Sequence, residues 1–321
     1  MLIKKKEIAL LLIFLSLVVT NLFAENYYFK RYDKENGLSQ QTVFCAVQDR
    51  RGFLWFGTKV GLNRFDGTKF KNYVADPEQP NSLPNNTVLA LAEAPDGSLW
   101  LGTSDGLCIY NPEKDTFAPF VSADLTIEGL IDNLVFDKQG NLWVINSKGI
   151  YCLDVKNGNH KFFPASDFFV PTGIAVTQSG SVWVLGLDGN IYLFNPQRME
   201  FSSYPILTKE EKTKHILLYR ILECSNGDLV VTTDRIGARR FSPNNGEVKV
   251  LFSNDSQNNP IYIHTAIQRN KDEFWFGTES GIHIYQLDLG FIDHLQKSYN
   301  DAYSLSDNAV HMLLKDREEG I

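Results

Sequence analysis

The sequence predicts an all-β fold built from a repeated unit of four short antiparallel strands, and three features support this prediction. The chain has 321 residues and five tryptophans, and the tryptophans recur roughly every 45 residues, each after a short polar turn. A glycine stands three residues before most of them, and another stands six residues after each. The apolar runs are short and divided by Gly, Asn and Asp, which is typical of successive hairpins. The tryptophans are Trp55, Trp100, Trp143, Trp183 and Trp275, and the glycines that follow them are Gly61, Gly106, Gly149, Gly189 and Gly281.

The four strands of a unit differ in their apolar pattern. The first strand is almost continuously apolar, as in 42–47 and 87–92, and the second carries the tryptophan. The third follows the later glycine, and the fourth is weaker and more polar. A strand covered on both faces does not alternate apolar and polar residues, so the first two strands should lie between neighbouring sheets. This pattern favours blades packed face to face around an axis, a β-propeller, over a flat sandwich.

The glycines and the tryptophans have different predicted roles in this architecture. Tight hairpin turns need positive φ angles, which glycine adopts without the strain that a Cβ atom causes. The tryptophans are predicted to fill the gap between adjacent blades, one for each blade.

The later units depart from the regular pattern. In the fifth unit Val230 stands where a tryptophan is expected and Gly237 comes one residue late, but the spacing and strand pattern survive. The charged, glycine-free stretch 207–215 predicts a short surface helix. Residues 308–321 copy the first strand and turn of another unit. We therefore expect six units and the start of a seventh, an incomplete seven-bladed propeller truncated within its last blade, with an open or marginal ring and exposed strand edges.

Residues 1–24 are predicted to be a cleaved secretory signal peptide. The basic residues 4–6 precede an apolar run at 8–20, and Ala24 offers a small residue before the cut. The alternative is an uncleaved membrane anchor, but the run is shorter than the roughly 20 residues that span a bilayer. Residues 25–321 are then an exported domain, expected in the periplasm. The net charge of −7 and the lack of a basic stripe argue against a nucleic-acid partner.

No residue pattern points to catalysis, a metal site or a cofactor. The four cysteines fall in four different units, which favours small buried residues over disulfides or metal ligands. The six histidines include no pair with ligand spacing, and no nucleophile motif is present. Acidic residues such as Asp66, Asp96 and Asp137 are predicted to cap turns. The spacing of the last two from the next glycine differs from the Asp box of sialidase propellers.

Ligand contacts are expected at one end of the channel, where loops and strand starts converge. The polar candidates near the starts of first strands are Arg220, His264 and His311. Tyr219 and Tyr262 are candidates for stacking on a sugar ring. The alternative for all five residues is ordinary lining of the channel.

Several segments together resemble the two-component regulator propeller family. The run Asn-Gly-Leu-Ser-Gln-Gln-Thr-Val at 36–43 is similar to the opening of that family. The further matching segments are 48–58, 61–67, 97–107 and 274–282, with 81–88 and 303–310 similar to the turn that precedes a first strand. The resemblance covers essentially all of residues 25–321.

The resemblance implies the periplasmic sensor region of a hybrid two-component system of Bacteroidetes, in which propellers precede a membrane helix, a histidine kinase, a receiver and a DNA-binding domain. Many such proteins sense oligosaccharides and switch on polysaccharide utilisation. The resemblance also implies that residues 27–32 supply a strand that completes the last blade. We therefore expect a non-catalytic sensor that binds an oligosaccharide, with a homodimer possible and membrane attachment only through further segments. The alternatives are an exported carbohydrate-active lyase or hydrolase and a protein-interaction scaffold.

Overall fold

The computed structural model describes residues 27–321 except positions 123, 168, 256 and 319. The predicted signal peptide lies outside the described residues. The described chain forms six sheets, each of four consecutive antiparallel strands. Blade one comprises β1 (Cys45–Gln48), β2 (Leu54–Thr58), β3 (Gly61–Phe65) and β4 (Phe70–Tyr73); blade two β5 (Val88–Glu93), β6 (Leu99–Thr103), β7 (Gly106–Asn111) and β8 (Thr116–Pro119); blade three β9 (Asn133–Phe136), β10 (Asn141–Asn146), β11 (Gly149–Asp154) and β12 (His160–Pro164). Blade four comprises β13 (Pro171–Val176), β14 (Val182–Gly186), β15 (Asn190–Asn195) and β16 (Glu200–Pro205); blade five β17 (Leu218–Glu223), β18 (Leu229–Thr233), β19 (Ala238–Phe241) and β20 (Val248–Phe252); blade six β21 (Ile263–Asn270), β22 (Glu273–Thr278), β23 (Gly281–Gln286) and β24 (Gly290–Leu295).

The first strand of each blade is the innermost one. Each of β1, β5, β9, β13 and β17 packs against the first strand of the next blade. The outermost strands are the most exposed, as the weaker apolar pattern of the fourth strands predicted. The prediction of an all-β propeller with six four-stranded blades is therefore confirmed. The surface helix expected within 207–215 is a single turn, α1 (Lys209–Lys212), capped by Thr208.

The tryptophans lie between neighbouring blades. The side chain of Trp55 is fully buried, and its ring centroid is 4.8 Å from that of Tyr110 in blade two. Trp143 approaches Phe194 of blade four at 4.7 Å. The indole N–H of Trp55 donates to Asp49 Oδ2 at 2.9 Å, and Trp143 makes the same bond with Asp137. An aspartate six residues before the tryptophan thus holds the turn and the indole together.

The glycine six residues after each tryptophan ends the turn between the second and third strands: it is the first residue of the third strand in four blades, and Gly189 directly precedes β15. Gly61 has a φ of +104°, and a Cβ atom at this position would lie 2.2 Å from the carbonyl oxygen of Tyr73. Backbone conformation and space both exclude a larger side chain there. The four equivalent glycines also have positive φ: Gly106, Gly149, Gly189 and Gly281.

The four cysteines are free thiols, buried or half-buried, as their spacing predicted. Burial raises the pKa of each thiol to about 12. They therefore act as small packing residues at neutral pH.

The two ends of the described chain meet between blade six and blade one. Residues 27–32 form no strand, contrary to expectation, because their backbone finds no neighbouring strand to pair with; Phe29 N donates to Tyr303 O at 2.8 Å instead. At the other end, Val310 N donates to Thr278 O of blade six, and Arg317 N donates to Gln48 Oε1 of blade one. The ring is thus bridged on its inner side, and a cavity of about 830 Å³ lies between the two chain ends.

Tyr27 covers the last tryptophan. Its ring lies edge-on to Trp275 at 4.9 Å, and its hydroxyl accepts a bond from Arg269 Nη1 at 3.0 Å. Trp275 is only 2% exposed. Tyr27 therefore covers Trp275 as Tyr110, an aromatic residue of the following blade, covers Trp55.

We expect Tyr27→Ala to expose the indole of Trp275 to solvent, because the covering ring is lost. Acrylamide quenching of tryptophan fluorescence should increase, and the emission should shift to longer wavelength. Tyr28→Ala is the control, since Tyr28 is already 71% exposed and does not touch an indole. Equal quenching in the Tyr27 and Tyr28 variants would contradict the packing described above.

A buried histidine in blade six, which stacks on a half-buried one, makes stability depend on pH. His283 is 2% exposed, and its ring stacks on that of His294 with centroids 3.8 Å apart. Burial, aided by the positive charge that His294 can carry, lowers the pKa of His283 from its ordinary 6.5 to about 4. Below pH 6.5 the unfolded chain therefore binds a proton that the folded chain does not, so stability falls with pH down to about 4.

We expect the free energy of unfolding to fall by about 2 kcal/mol from pH 7 to pH 5 through this residue. Urea unfolding at both pH values, for the parent chain and for His283→Phe, measures the contribution as the difference between their pH dependences. His215→Gln is the control, because His215 is exposed. The same pH dependence in the parent and the His283 variant would show that the residue does not carry the effect.

Candidate functional site

Four inner strands begin with a bulge of one residue. The register with the second strand slips at Leu89, Thr172, Tyr219 and His264. All blades have the same strand order, so these bulges lie at the same end of the channel. A bulged residue leaves the ladder and its side chain is turned away from the regular pattern. Each blade can therefore present a different side chain at this end without a change in its core.

The sequence-predicted ligand residues gather at this end, and we call Tyr219, Arg220, Tyr262, His264 and His311 the mouth cluster. Tyr219 and His264 are the bulged residues of blades five and six, whose inner strands pack together. The rings of His264 and His311 lie 5.0 Å apart. Tyr262 precedes β21 and is 48% exposed, while Tyr219 is 37% exposed. The structure thus brings the two histidines together, with Tyr219 and Arg220 on the adjoining inner strand β17 and Tyr262 directly before β21.

In the mouth cluster His264 has a carboxylate partner among the described residues and Arg220 does not. His264 Nε2 lies 2.7 Å from Glu279 Oε1, so this ring has a carboxylate partner. Arg220 Nη1 donates to Tyr219 O at 3.4 Å, and no carboxylate of the described residues lies within ion-pair distance of it. Burial lowers the pKa of Arg220, although a guanidinium stays charged at neutral pH. The cluster therefore offers a partly buried cation and two tyrosines that are each more than a third exposed.

Sequence reasoning missed two acidic residues at this end. Glu279 lies in the turn between β22 and β23, directly after the Gly-Thr pair of the repeat. Asp132 immediately precedes the inner strand β9, and burial raises the pKa of its carboxyl group. The repeat could have predicted the position of Glu279, because the turn after each Gly-Thr pair lies at the end of the channel where the inner strands start.

This arrangement is suited to binding. Hydroxyls, an imidazole and a guanidinium can hydrogen-bond to a polar ligand, and the tyrosine faces can stack on a sugar ring. Across the described part of the chain, no group of three or more His, Cys, Asp and Glu is placed to hold a metal ion. Within the described residues, no helix has the length and apolar character needed to cross a membrane.

Comparison with known families supports the resemblance inferred from the sequence. Residues 37–59 and 82–105 match the profile of the family described as two component regulator propeller. These segments include the motifs of units one and two, so the predicted resemblance is confirmed. A histidine kinase of Formosa agariphila is 49% identical over 53 residues, which are 16% of this chain and 4% of that protein.

Solved structures share the fold over most of the chain. The extracellular domain of a hybrid two-component system from B. thetaiotaomicron superposes with a TM-score of 0.75 at 24% identity, covering 91% of this chain and 39% of that one. A second such domain from the same organism has a TM-score of 0.76 at 18% identity, covering 92% and 38%. The chain therefore spans well under half the length of these relatives.

Propeller enzymes are also among the structural neighbours. Virginiamycin B lyase from Staphylococcus aureus superposes with a TM-score of 0.62 at 12% identity, covering 80% of this chain and 85% of the lyase. Identities this low show a shared fold and leave the chemistry open. The chain carries two-component regulator propeller repeats, in a propeller with the fold of the extracellular domains of hybrid two-component systems.

Proposed function

We propose that this chain is an exported, non-catalytic sensor propeller of a hybrid two-component signalling protein, which responds to an oligosaccharide and so regulates polysaccharide utilisation. The observation that carries the proposal is the likeness to the extracellular domain of a hybrid two-component system over 91% of the chain, because the match to the two component regulator propeller profile points independently to two-component signalling. The sequence of residues 1–24, with its basic start and short apolar run, supports export to the periplasm.

The mouth cluster is the proposed ligand site. Stacking on tyrosine and hydrogen bonds from a guanidinium are the contacts that a sugar ring with equatorial hydroxyls can use. Ligand binding would favour one arrangement of the propeller relative to the rest of the signalling protein. The difference between the ligand affinities of the two arrangements would set the size of the signal. A homodimer of the chain is one way in which such a difference could reach a kinase.

We also infer that residues 308–321 are the first strand and turn of a seventh unit. Val310 N donates to Thr278 O at 2.9 Å, and Ile131 N makes the equivalent bond to Thr103 O between blades two and three. The turn at Asp316 supports the same inference: its backbone N–H donates to Gly320 O, and its carboxylate accepts from Glu318 N. The turn at Asp49 in blade one has the same pattern.

The test is titration of the purified chain with a panel of oligosaccharides, together with chromatography of the sugars after incubation. Saturable binding without products supports the sensor proposal. We expect Arg220→Gln and Tyr219→Ala each to weaken binding by about tenfold, the cost of a lost charged hydrogen bond or stacking contact. Lys249→Gln is the control, because Lys249 lies on the outermost strand of blade five and pairs with Glu247.

The other two hypotheses make different predictions for the same experiment. Sugar products that accumulate with time would favour a carbohydrate-active enzyme over a sensor. The structural likeness to a propeller lyase is the observation behind this hypothesis. No binding to any sugar would favour an interaction scaffold. Equal affinity in the parent and both mouth-cluster variants would place the ligand elsewhere on the propeller.

A further inference from the structure

Two clefts between blades occupy equivalent places in the repeat but differ in content. The first cleft lies between blades one and two, and the third cleft lies between blades three and four. Strand register makes them comparable, because Trp55 pairs with Arg64 as Trp143 pairs with Cys152. The turns that face the two clefts, 111–116 and 195–200, have the same length and both begin with Asn-Pro.

The first cleft is filled by a polar network. The guanidinium of Arg64 lies 4.5 Å from the ring of Phe53 and 5.8 Å from that of Trp55. Asp115 accepts a hydrogen bond from Lys71 and one of 2.7 Å from each hydroxyl of Tyr73 and Tyr110. Burial alone would raise the pKa of Asp115, but these bonds lower it to about 2. The lysine of this cleft is therefore neutralised by a carboxylate of the next blade.

The third cleft has lost this network, although its lysine remains. By register, Lys161 stands opposite Cys152 as Lys71 stands opposite Arg64. Met199 takes the place of Asp115, and both residues have a φ of +56° in the turn. The equivalences are Arg64 with Cys152, Lys71 with Lys161, Tyr73 with Phe163, Tyr110 with Phe194 and Asp115 with Met199. At four of these five positions the third cleft has a smaller or less polar side chain than the first cleft, and only the lysine is common to both.

These changes leave an open cavity of about 610 Å³, a volume within the range of ligand sites. Trp143, Cys152, Val182 and Phe194 supply apolar lining. The polar groups around them belong to Asn141, Asn159, His160, Lys161, Ser179 and Ser181. Lys161 has no carboxylate of the described residues within ion-pair distance. The two carboxylates that line the cavity, Asp137 and Asp154, accept bonds from their own turns.

We propose that the third cleft binds an acidic sugar, with the carboxylate of a uronic acid residue on Lys161 and an apolar face of the ring against Phe194. This inference rests on the proposed function and adds to the mouth cluster a second sugar site, in the third cleft, with a stated class of ligand. The ligand carboxylate replaces the carboxylate that Asp115 provides in the first cleft, and the ring occupies the volume that Arg64 fills there. Hydroxyl groups of the sugar meet the serine and asparagine side chains of the rim.

Two variants of the third cleft test the proposal. The double variant Cys152→Arg with Met199→Asp rebuilds the filling of the first cleft and should abolish binding. Lys161→Gln removes only the cation from an exposed position, so it should fold and should weaken binding by at least about tenfold. Lys249→Gln is the matched control, since Lys249 stands opposite Arg240 in the strand register of blade five, as Lys161 stands opposite Cys152 in blade three.

The probes are glucuronic and galacturonic acid, as free sugars and short oligomers, with glucose and galactose as neutral counterparts, in calorimetric titrations. The expected result is binding of the acidic probes that both cleft variants reduce and the control leaves unchanged. If the acidic probes bind Lys161→Gln as tightly as the parent chain, the third cleft is not the site. The same conclusion follows if only the mouth-cluster variants reduce binding. Neither result contradicts the proposal that the chain is a sensor. Binding of neutral sugars alone overturns the acidic class. No binding of either kind overturns this inference, whereas the proposed function fails only if the wider oligosaccharide panel also shows no binding.

Discussion

Replacing Trp55 by Ala is expected to lower the free energy of unfolding by about 3–5 kcal/mol, the usual cost of deleting a fully buried tryptophan. The ring is 0% exposed and packs against Tyr73 of its own blade and Tyr110 of the next. Its loss therefore leaves a cavity at the joint between two blades. It also removes the indole N–H that donates to the buried carboxylate of Asp49.

Urea unfolding followed by circular dichroism measures this effect. Trp55→Phe separates its two causes, because the phenyl ring keeps most of the packing and loses only the hydrogen bond to Asp49; we expect a cost of about 1–2 kcal/mol. Tyr219→Ala is the surface control. A loss below about 1 kcal/mol in Trp55→Ala would show that the blades do not depend on the tryptophan between them.

The second large effect is expected at Gly102, two residues after Trp100. A Cβ atom there would lie 2.5 Å from the carbonyl oxygen of Ile131 and 2.8 Å from its Cγ2 atom, both in blade three. The backbone of Ile131 is held at this distance, because its N–H donates to Thr103 O at 2.9 Å. Gly102→Ala should therefore push blades two and three apart and cost about 3 kcal/mol, the upper part of the usual range for overpacking.

The control for Gly102 is Gly67→Ala. Gly67 has a φ of +94° in a surface turn, and an added Cβ atom would meet nothing within 4 Å. Its substitution should cost about 1 kcal/mol from backbone strain alone. The two variants, compared by urea unfolding, separate contact between blades from turn conformation. Equal losses in both would indicate that the close approach at Gly102 relaxes at little cost.

The prediction of the fold succeeded because the signal repeats. The tryptophan and the glycines around it recur in most units, so a departure in one unit is offset by the others, and even Val230 in place of the tryptophan did not hide the fifth blade. The strand at 27–32 was predicted wrongly because strand formation depends on a partner from elsewhere in the chain. The same dependence explains why Tyr27 could not be assigned to Trp275 beforehand.

The candidate site was predicted only in part. Positions near the start of inner strands pointed to Arg220, His264 and His311, since all such starts meet at one end of the channel. The carboxylate of Glu279 beside His264 was missed because Glu279 lies in a turn 15 residues further along the chain. The third cleft was missed entirely, because Cys152 and Met199 are ordinary residues until register sets them beside Lys161.

The sequence by itself determined the number of complete blades, the strands within each and the residue that lies at each joint. These properties follow from local periodicity, which needs no knowledge of the rest of the chain. Only the tertiary structure decided which joints are filled and which are open, because a cleft is the sum of side chains from two blades. Arg64 and Cys152 occupy the same position in the repeat, but Arg64 lies over the Trp55 ring in a cleft that also holds the Lys71–Asp115 pair, whereas Cys152 leaves a cavity beside Lys161.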